Sequence, residues 1–124
     1  AAPARARRRA APRAYPEVPA MRRAEIWWAR LELPAGRRPV VLVSRQAAYA
    51  IRRSITVAEI STVVRGIPSE ITLGPRDGLP RPCVINTDNL VTIPRSILET
   101  RIAALSATKT EQLDAALQFS LGLS

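Results

Sequence analysis

Histidine is absent from this chain of 124 residues, cysteine and lysine occur once each, and glycine only five times. With no imidazole and Cys83 as the lone thiol, the sequence supports neither a conventional zinc site nor an internal disulfide framework. No metal or cofactor is expected, and a single thiol fits a reducing cytoplasm. Long apolar runs are missing too, none approaching the ~18 residues of a membrane span. Near the start, Arg7-Arg8-Arg9 is followed by Ala, Pro and Arg, where a signal peptide needs an apolar segment. The expectation is a cytoplasmic protein, neither secreted nor embedded in a membrane.

What the chain does hold is positive charge. Its formal net charge is +9, and all of its nineteen basic residues except Lys109 are arginine. Arginine suits bidentate contacts to phosphate, although a high-GC genome gives the same bias without a functional cause. Residues 1–20 contribute +4 (five Arg less one Glu) and residues 21–124 contribute +5 (fourteen Arg and Lys less nine Asp and Glu). The excess therefore does not depend on the N-terminal stretch, and a positive surface favours an anionic partner such as nucleic acid or an acidic polypeptide. Eight Ala, five Arg and four Pro in residues 1–20 bury too little apolar surface to offset ordering, so a disordered basic extension is expected there. Met21 opens the patterned part, and 21–124 has room for one domain with one core.

From Ala24 to Leu33 the chain is aromatic and then alternates with period two, as a first strand does. Pro34-Ala35-Gly36-Arg37 reads as a turn and Arg38–Ser44 as a second, antiparallel strand. Within it Val40–Val43 is apolar throughout, implying burial on both faces, so Arg38 should emerge at the rim. Arg45–Ser54 reads as a basic loop or short helix, and Ile55–Ser61 as a third strand. Shorter strands are expected at Glu70–Leu73, Pro82–Asn86, Leu90–Ile93 and Arg101–Leu105, the pattern of a small antiparallel barrel. Ser106 then caps an amphipathic helix whose stripe is Leu113, Ala116, Leu117, Ser120 and Leu121, stopped at Gly122.

RNA is cut without metal when its 2′-hydroxyl attacks the neighbouring phosphorus, which needs a proton acceptor, positive charge on the phosphoryl oxygens and a donor to the leaving oxygen. Lacking histidine, any nuclease built from this chain must lean on arginine for charge, on hydroxyls for positioning, and on a carboxylate if it uses a side-chain base. Arg38, Ser61 and Asp88 stand at the ends of different expected strands, where a barrel can bring them together. Each also has an ordinary reading. Arg38 can pair with Glu25 or Asp88 at the surface, Ser61 can be a strand-end hydroxyl, and Asp88 and Asn89 can be turn residues. Trp27 and Trp28 point to opposite faces, one for the core and the other free to stack on a base. Cys83 reads as a small buried apolar residue.

Arg37-Arg38-Pro39-Val40-Val41, Ile60-Ser61-Thr62 and Asn86-Thr87-Asp88-Asn89, in that order, resemble the MazF/PemK family of toxin endoribonucleases. Arg65-Gly66-Ile67-Pro68-Ser69-Glu70 and Asp77-Gly78-Leu79-Pro80-Arg81-Pro82 resemble stretches of its actinobacterial members, and the likeness extends from Met21 to Leu123. The resemblance implies a mainly β fold, an SH3-like antiparallel barrel of the MazF/CcdB kind with a C-terminal helix. It further implies a homodimer, a single-stranded RNA substrate, and a MazE-like antitoxin whose acidic, flexible tail occupies the RNA groove. By the same resemblance Arg38 stabilises charge on the phosphate, Ser61 supplies the hydroxyl and Asp88 a base. Arg37, Trp27, Arg45, Arg52, Arg53, Thr62, Arg65, Asn86 and Asn89 are the expected RNA contacts. The chain departs from the family at Ala24, commonly Gly, and at Asn86, where some branches carry Arg. At Glu59 the family commonly has Pro or a small residue; the carboxylate here is either a base on the Ser61 face or a solvated edge charge. Two other functions remain open: a noncatalytic RNA- or antitoxin-binding module of the same fold, and a gyrase poison like CcdB, although the chain ends Leu121-Gly122-Leu123-Ser124 instead of Trp-Gly-Ile.

Overall fold

The computed structural model describes residues 20–123, so the expected disordered extension over 1–20 lies, except for Ala20, outside the described residues. The elements run β1 (Glu25–Arg30), β2 (Arg37–Leu42), a single-turn helix α1 (Ala48–Ile51), β3 (Ser54–Ser61), β4 (Glu70–Leu73), β5 (Cys83–Pro94), β6 (Leu98–Ala104) and α2 (Ala107–Leu121). All six strands belong to one antiparallel sheet in the order β4-β5-β3-β2-β1-β6, curled into a half-barrel. Both faces of the sheet are buried, and β2 shows why its apolar run is unbroken. Val41 joins Ile26, Ala58, Ile60 and Ile85 in a core beneath Leu113 and Ala116 of α2. Val40 and Leu42 point the other way, into a second core with Trp27, Ala29, Ile55, Val57 and Leu98 inside the curl.

The helix begins as its cap residue requires, with Ser106 Oγ accepting from Lys109 N at 3.1 Å. It ends at Gly122, left-handed at φ 69°. Leu113 and Ala116 are buried, whereas Leu121 at the far end of the expected stripe is exposed.

β1 stops at Arg30 where the strand was expected to run to Leu33, and β6 begins at Leu98 where Arg101 was expected; two further differences bear on the site. Pro82–Asn86 and Leu90–Ile93 are parts of one strand, β5, which pairs with β3 from Ser54↔Pro94 to Ser61↔Val84. Residues 87–89 form a bulge in it, at the register shift between Ala58 and Glu59, and not a turn. Hydrogen bonds from outside the ladder make the bulge possible. Thr87 donates to Ser69 O through both N (2.9 Å) and Oγ1 (2.7 Å), and Ser69 Oγ donates to Asp88 at 2.7 Å.

The second difference is local. Ala24 is buried and left-handed at φ 73°, a conformation that L side chains rarely adopt. Its N–H donates to Leu42 O at 2.8 Å and its carbonyl accepts from Leu105 N at 2.9 Å, so β1 enters the sheet only through this conformation.

Candidate active site

Pro39 has no N–H to give a ladder, and the β2–β3 pairing accordingly starts one residue later, at Val40↔Glu59. Beyond that point β2 and β3 part, and a pocket of about 390 Å³ opens between them. Arg38, Pro39, Ile60, Ser61, Thr62 and Val63 line its two flanks, Trp28 comes from β1, and Leu79, Pro80, Arg81 and Cys83 close it from the segment leading into β5. Two arginines, Arg38 and Arg81, line this pocket, and among the described residues no carboxylate does.

Arg38 is held by the strand that the sequence made rigid. It sits opposite Ala29 of β1, one residue from Pro39 and two from fully buried Val40. Neither Glu25 nor Asp88 pairs with it. Glu25 accepts from Trp27 Nε1 (3.0 Å), Arg22 N (3.0 Å) and Arg101 Nη1 (3.4 Å), while Asp88 accepts from Ser69. The Nε of Arg38 is buried without a hydrogen-bond partner, an unfavourable state for a charged donor that an anion in the pocket would relieve. Ser61 Oγ accepts from Val63 N at 3.0 Å. That bond occupies an oxygen lone pair and leaves the hydroxyl proton to donate.

Around the mouth, Arg37 is fixed on both sides. Its Nε donates to Glu99 at 2.8 Å, and its guanidinium lies 4.1 Å from the centroid of the Trp28 ring. Glu99 also pairs with Arg30 at 2.7 Å. The hydrogen bond from Arg37, aided by Arg30, holds the Glu99 carboxyl below its ordinary range. Cys83 is driven the other way: burial, with the nearby Asp77 carboxylate, pushes its thiol up, so it lines the pocket as a neutral group and not as a nucleophile.

Several expected site residues lie elsewhere. Asp88 does not line the pocket. Val84 is the β5 residue opposite Ser61, and Asp88 lies four positions beyond it in the bulge, up to about 13 Å farther along the strand. Asn89 shares that bulge. Asn86 is only 6% exposed, and its Oδ1 accepts from Asp88 N at 2.9 Å, so it shapes the bulge and is not positioned as an RNA contact. Trp27, 2% exposed with its N–H on Glu25, belongs to the second core; the indole at the pocket is that of Trp28. Strand alternation separates the two rings, but the expected contact at Trp27 falls on the core face and Trp28 takes the pocket. Arg45, Arg52 and Arg53 lie at the Ser54 end of β3, about 23 Å by strand rise from Ser61. Thr62 lines the pocket, and Arg65 is exposed on the same connection. Glu59 lies on a different concavity, with Arg30, Ala35 and Val91. Arg81, unforeseen as a site residue, is flanked by Pro80 and Pro82, and that Pro-Arg-Pro spacing was the available signal.

Among the described residues no helix is long and apolar enough to cross a membrane, and no three potential metal ligands cluster. The chain resembles proteins of known type along most of its length. It is 34% identical over 103 residues to a "Probable endoribonuclease MazF5" of Mycobacterium tuberculosis, covering 82% of this chain and 94% of the relative. The solved structure "Mycobacterium tuberculosis toxin MazF-mt6" superposes with a TM-score of 0.75 at 32% identity, covering 81% of this chain and 98% of that one. Another, "Endoribonuclease in complex with its cognate antitoxin from Mycobacterial species", gives the same TM-score of 0.75 at 25% identity, covering 85% and 98%. Residues 22–121 match the family described as "PemK-like, MazF-like toxin of type II toxin-antitoxin system", and the chain belongs to that family.

Proposed function

We propose that this chain is the toxin of a toxin–antitoxin pair and acts in the cytoplasm as an endoribonuclease that cuts single-stranded RNA at a short sequence. The observation that carries the reading is Arg38, a charged side chain with a buried, unpartnered Nε, set beside the Ser61 hydroxyl in a pocket lined by no carboxylate. A phosphodiester supplies what this arrangement lacks. Arg38 binds the non-bridging phosphoryl oxygens and stabilises the charge that grows on them as the 2′-hydroxyl attacks phosphorus. Ser61, its lone pair engaged by Val63 N, donates its proton to the same phosphoryl group and fixes its orientation. The new bond joins O2′ to phosphorus and the P–O5′ bond breaks, leaving a 2′,3′-cyclic phosphate and a 5′-hydroxyl. The proton lost by the 2′-hydroxyl passes to a phosphoryl oxygen or to water, and O5′ takes a proton from water as it leaves. Asp88, tied to Ser69 outside the pocket, keeps the bulge in place and has no direct part.

No step requires a metal ion, and the chain has no histidine to supply the commonest ligand. The active form is a homodimer, and a cognate antitoxin with an acidic, flexible tail restrains it. The +5 charge of residues 21–124 and the antitoxin complex of a mycobacterial relative support such a partner.

The test is incubation of the protein with a long single-stranded RNA in excess EDTA, with ends mapped by primer extension. Discrete cuts that persist in EDTA, carry cyclic phosphate ends and vanish when the nucleotide 5′ to the cut is 2′-deoxy are the expected result. RNA that is bound but uncut would point to a noncatalytic module. RNA neither cut nor bound would point to a protein target.

A further inference from the structure

The pocket holds a second arginine that the proposed chemistry does not use. We propose that Arg81 is a phosphate-positioning residue, gripping a phosphodiester next to the one that Arg38 holds. The proposal rests on the reading of the pocket as an RNA site.

Arg81 and Arg38 line the same pocket from different elements, one on the approach to β5 and the other on β2. No carboxylate between them balances the two charges, and among the described residues neither guanidinium makes an ion pair or hydrogen bond. Other arginines near the mouth are already engaged, Arg37 and Arg30 both on Glu99. Like charges left facing one cavity repel unless an anion joins them, and a strand of RNA brings one negative charge per nucleotide.

The backbone also favours a binding role. Leu79 is buried, and Gly78 before it is left-handed at φ 95°, so close to β6 that a Cβ there would lie 2.9 Å from that of Ala103. Pro80 and Pro82 then fix φ on both sides of Arg81. The guanidinium is thus carried on a short, anchored segment, which lowers the ordering cost of a contact. Asn86, neutral and buried, contributes no cation, so Arg81 is the second positive group available at this site.

The experiment measures binding of a cleavage-resistant RNA, 2′-deoxy at the cut position, across a range of KCl concentrations. Wild type is compared with Arg81→Ala, Arg81→Lys and Arg22→Ala, the last an exposed arginine outside the pocket. Arg81→Ala is expected to weaken binding about 10-fold. It should also reduce the slope of log K against log salt by about 0.7, the value for one single-strand phosphate contact. On cleavable RNA its KM rises and kcat is largely kept, Arg81→Lys restores the salt slope, and Arg22→Ala behaves as wild type. A protein that binds and cuts normally while Arg81→Ala keeps the wild-type slope and affinity overturns this proposal alone. A wild-type protein that neither binds nor cuts overturns the RNA reading along with it.

Discussion

Arg38 and Arg95 are the same residue type at opposite ends of the β3 ladder, and their surroundings differ in kind. Arg95 is buried, and its Nη1 donates to the carbonyl oxygens of Tyr49 and Arg52 while Nη2 approaches Met21 Sδ at 3.8 Å. It joins the β3 entry, α1 and the start of the domain. Arg38 has a buried Nε that meets no acceptor among the described residues. Arg95 spends its Nη1 on carbonyl oxygens of the fold, whereas the Arg38 side chain forms no hydrogen bond or ion pair among the described residues, which leaves its charge available to an anion in the pocket.

The contrast is broken most severely at Arg95. Arg95→Ala strands buried carbonyl oxygens, so it should cost about 2–4 kcal/mol, read by chemical denaturation, while the folded fraction keeps its cleavage rate. Loss of specific activity with unchanged stability would reverse the roles of the two arginines. Next in size, Ser61→Ala should lower kcat about 10- to 100-fold by removing the donor to the phosphoryl group, and Ser61→Thr should retain most activity. Full activity in Ser61→Ala would leave the hydroxyl without a role.

Farther from the site, Ala24→Gly should relieve the left-handed strain and gain up to about 1 kcal/mol, partly offset by the freer unfolded chain. A loss of stability would mean that the Ala24 methyl packs better than its backbone suffers. The smallest effect concerns Glu99. Its carboxyl is held below the ordinary value in the folded state, so its pairing with Arg37 and Arg30 is intact above that ordinary value and lost as pH falls through the lowered one. Acid titration should therefore change Trp28 fluorescence as Arg37 is released, and Glu99→Gln should abolish that step. An identical titration in Glu99→Gln would detach Arg37 from Glu99.

How far the sequence could be read depended on range. The unbroken Val40–Val43 run announced a strand buried on both faces, and Pro39 announced that Arg38 would emerge at the rim, because both signals lie in neighbouring residues. Ser106 and Gly122 marked the helix ends for the same reason. Asn86–Asn89 misled because its composition is that of a turn. What makes it a bulge is Ser69, far away in sequence, whose carbonyl and hydroxyl bind Thr87 and Asp88. The arginines at 45, 52 and 53 were expected as RNA contacts on a basic loop, and the composition of a loop does not say at which end of a strand it emerges. Alternation separated Trp27 from Trp28, but the choice of face awaited Glu25, whose carboxylate takes the Trp27 N–H into the core.

The most direct measurement is the cleavage rate of Arg38→Ala beside its melting temperature, on an RNA that the wild type cuts. Because the Arg38 side chain makes no hydrogen bond or ion pair among the described residues, the melting temperature should be nearly unchanged while cleavage falls by at least about 10²–10³-fold, the usual loss when a preorganised donor to a developing oxyanion is removed. Undiminished cleavage by a folded Arg38→Ala variant would contradict the account.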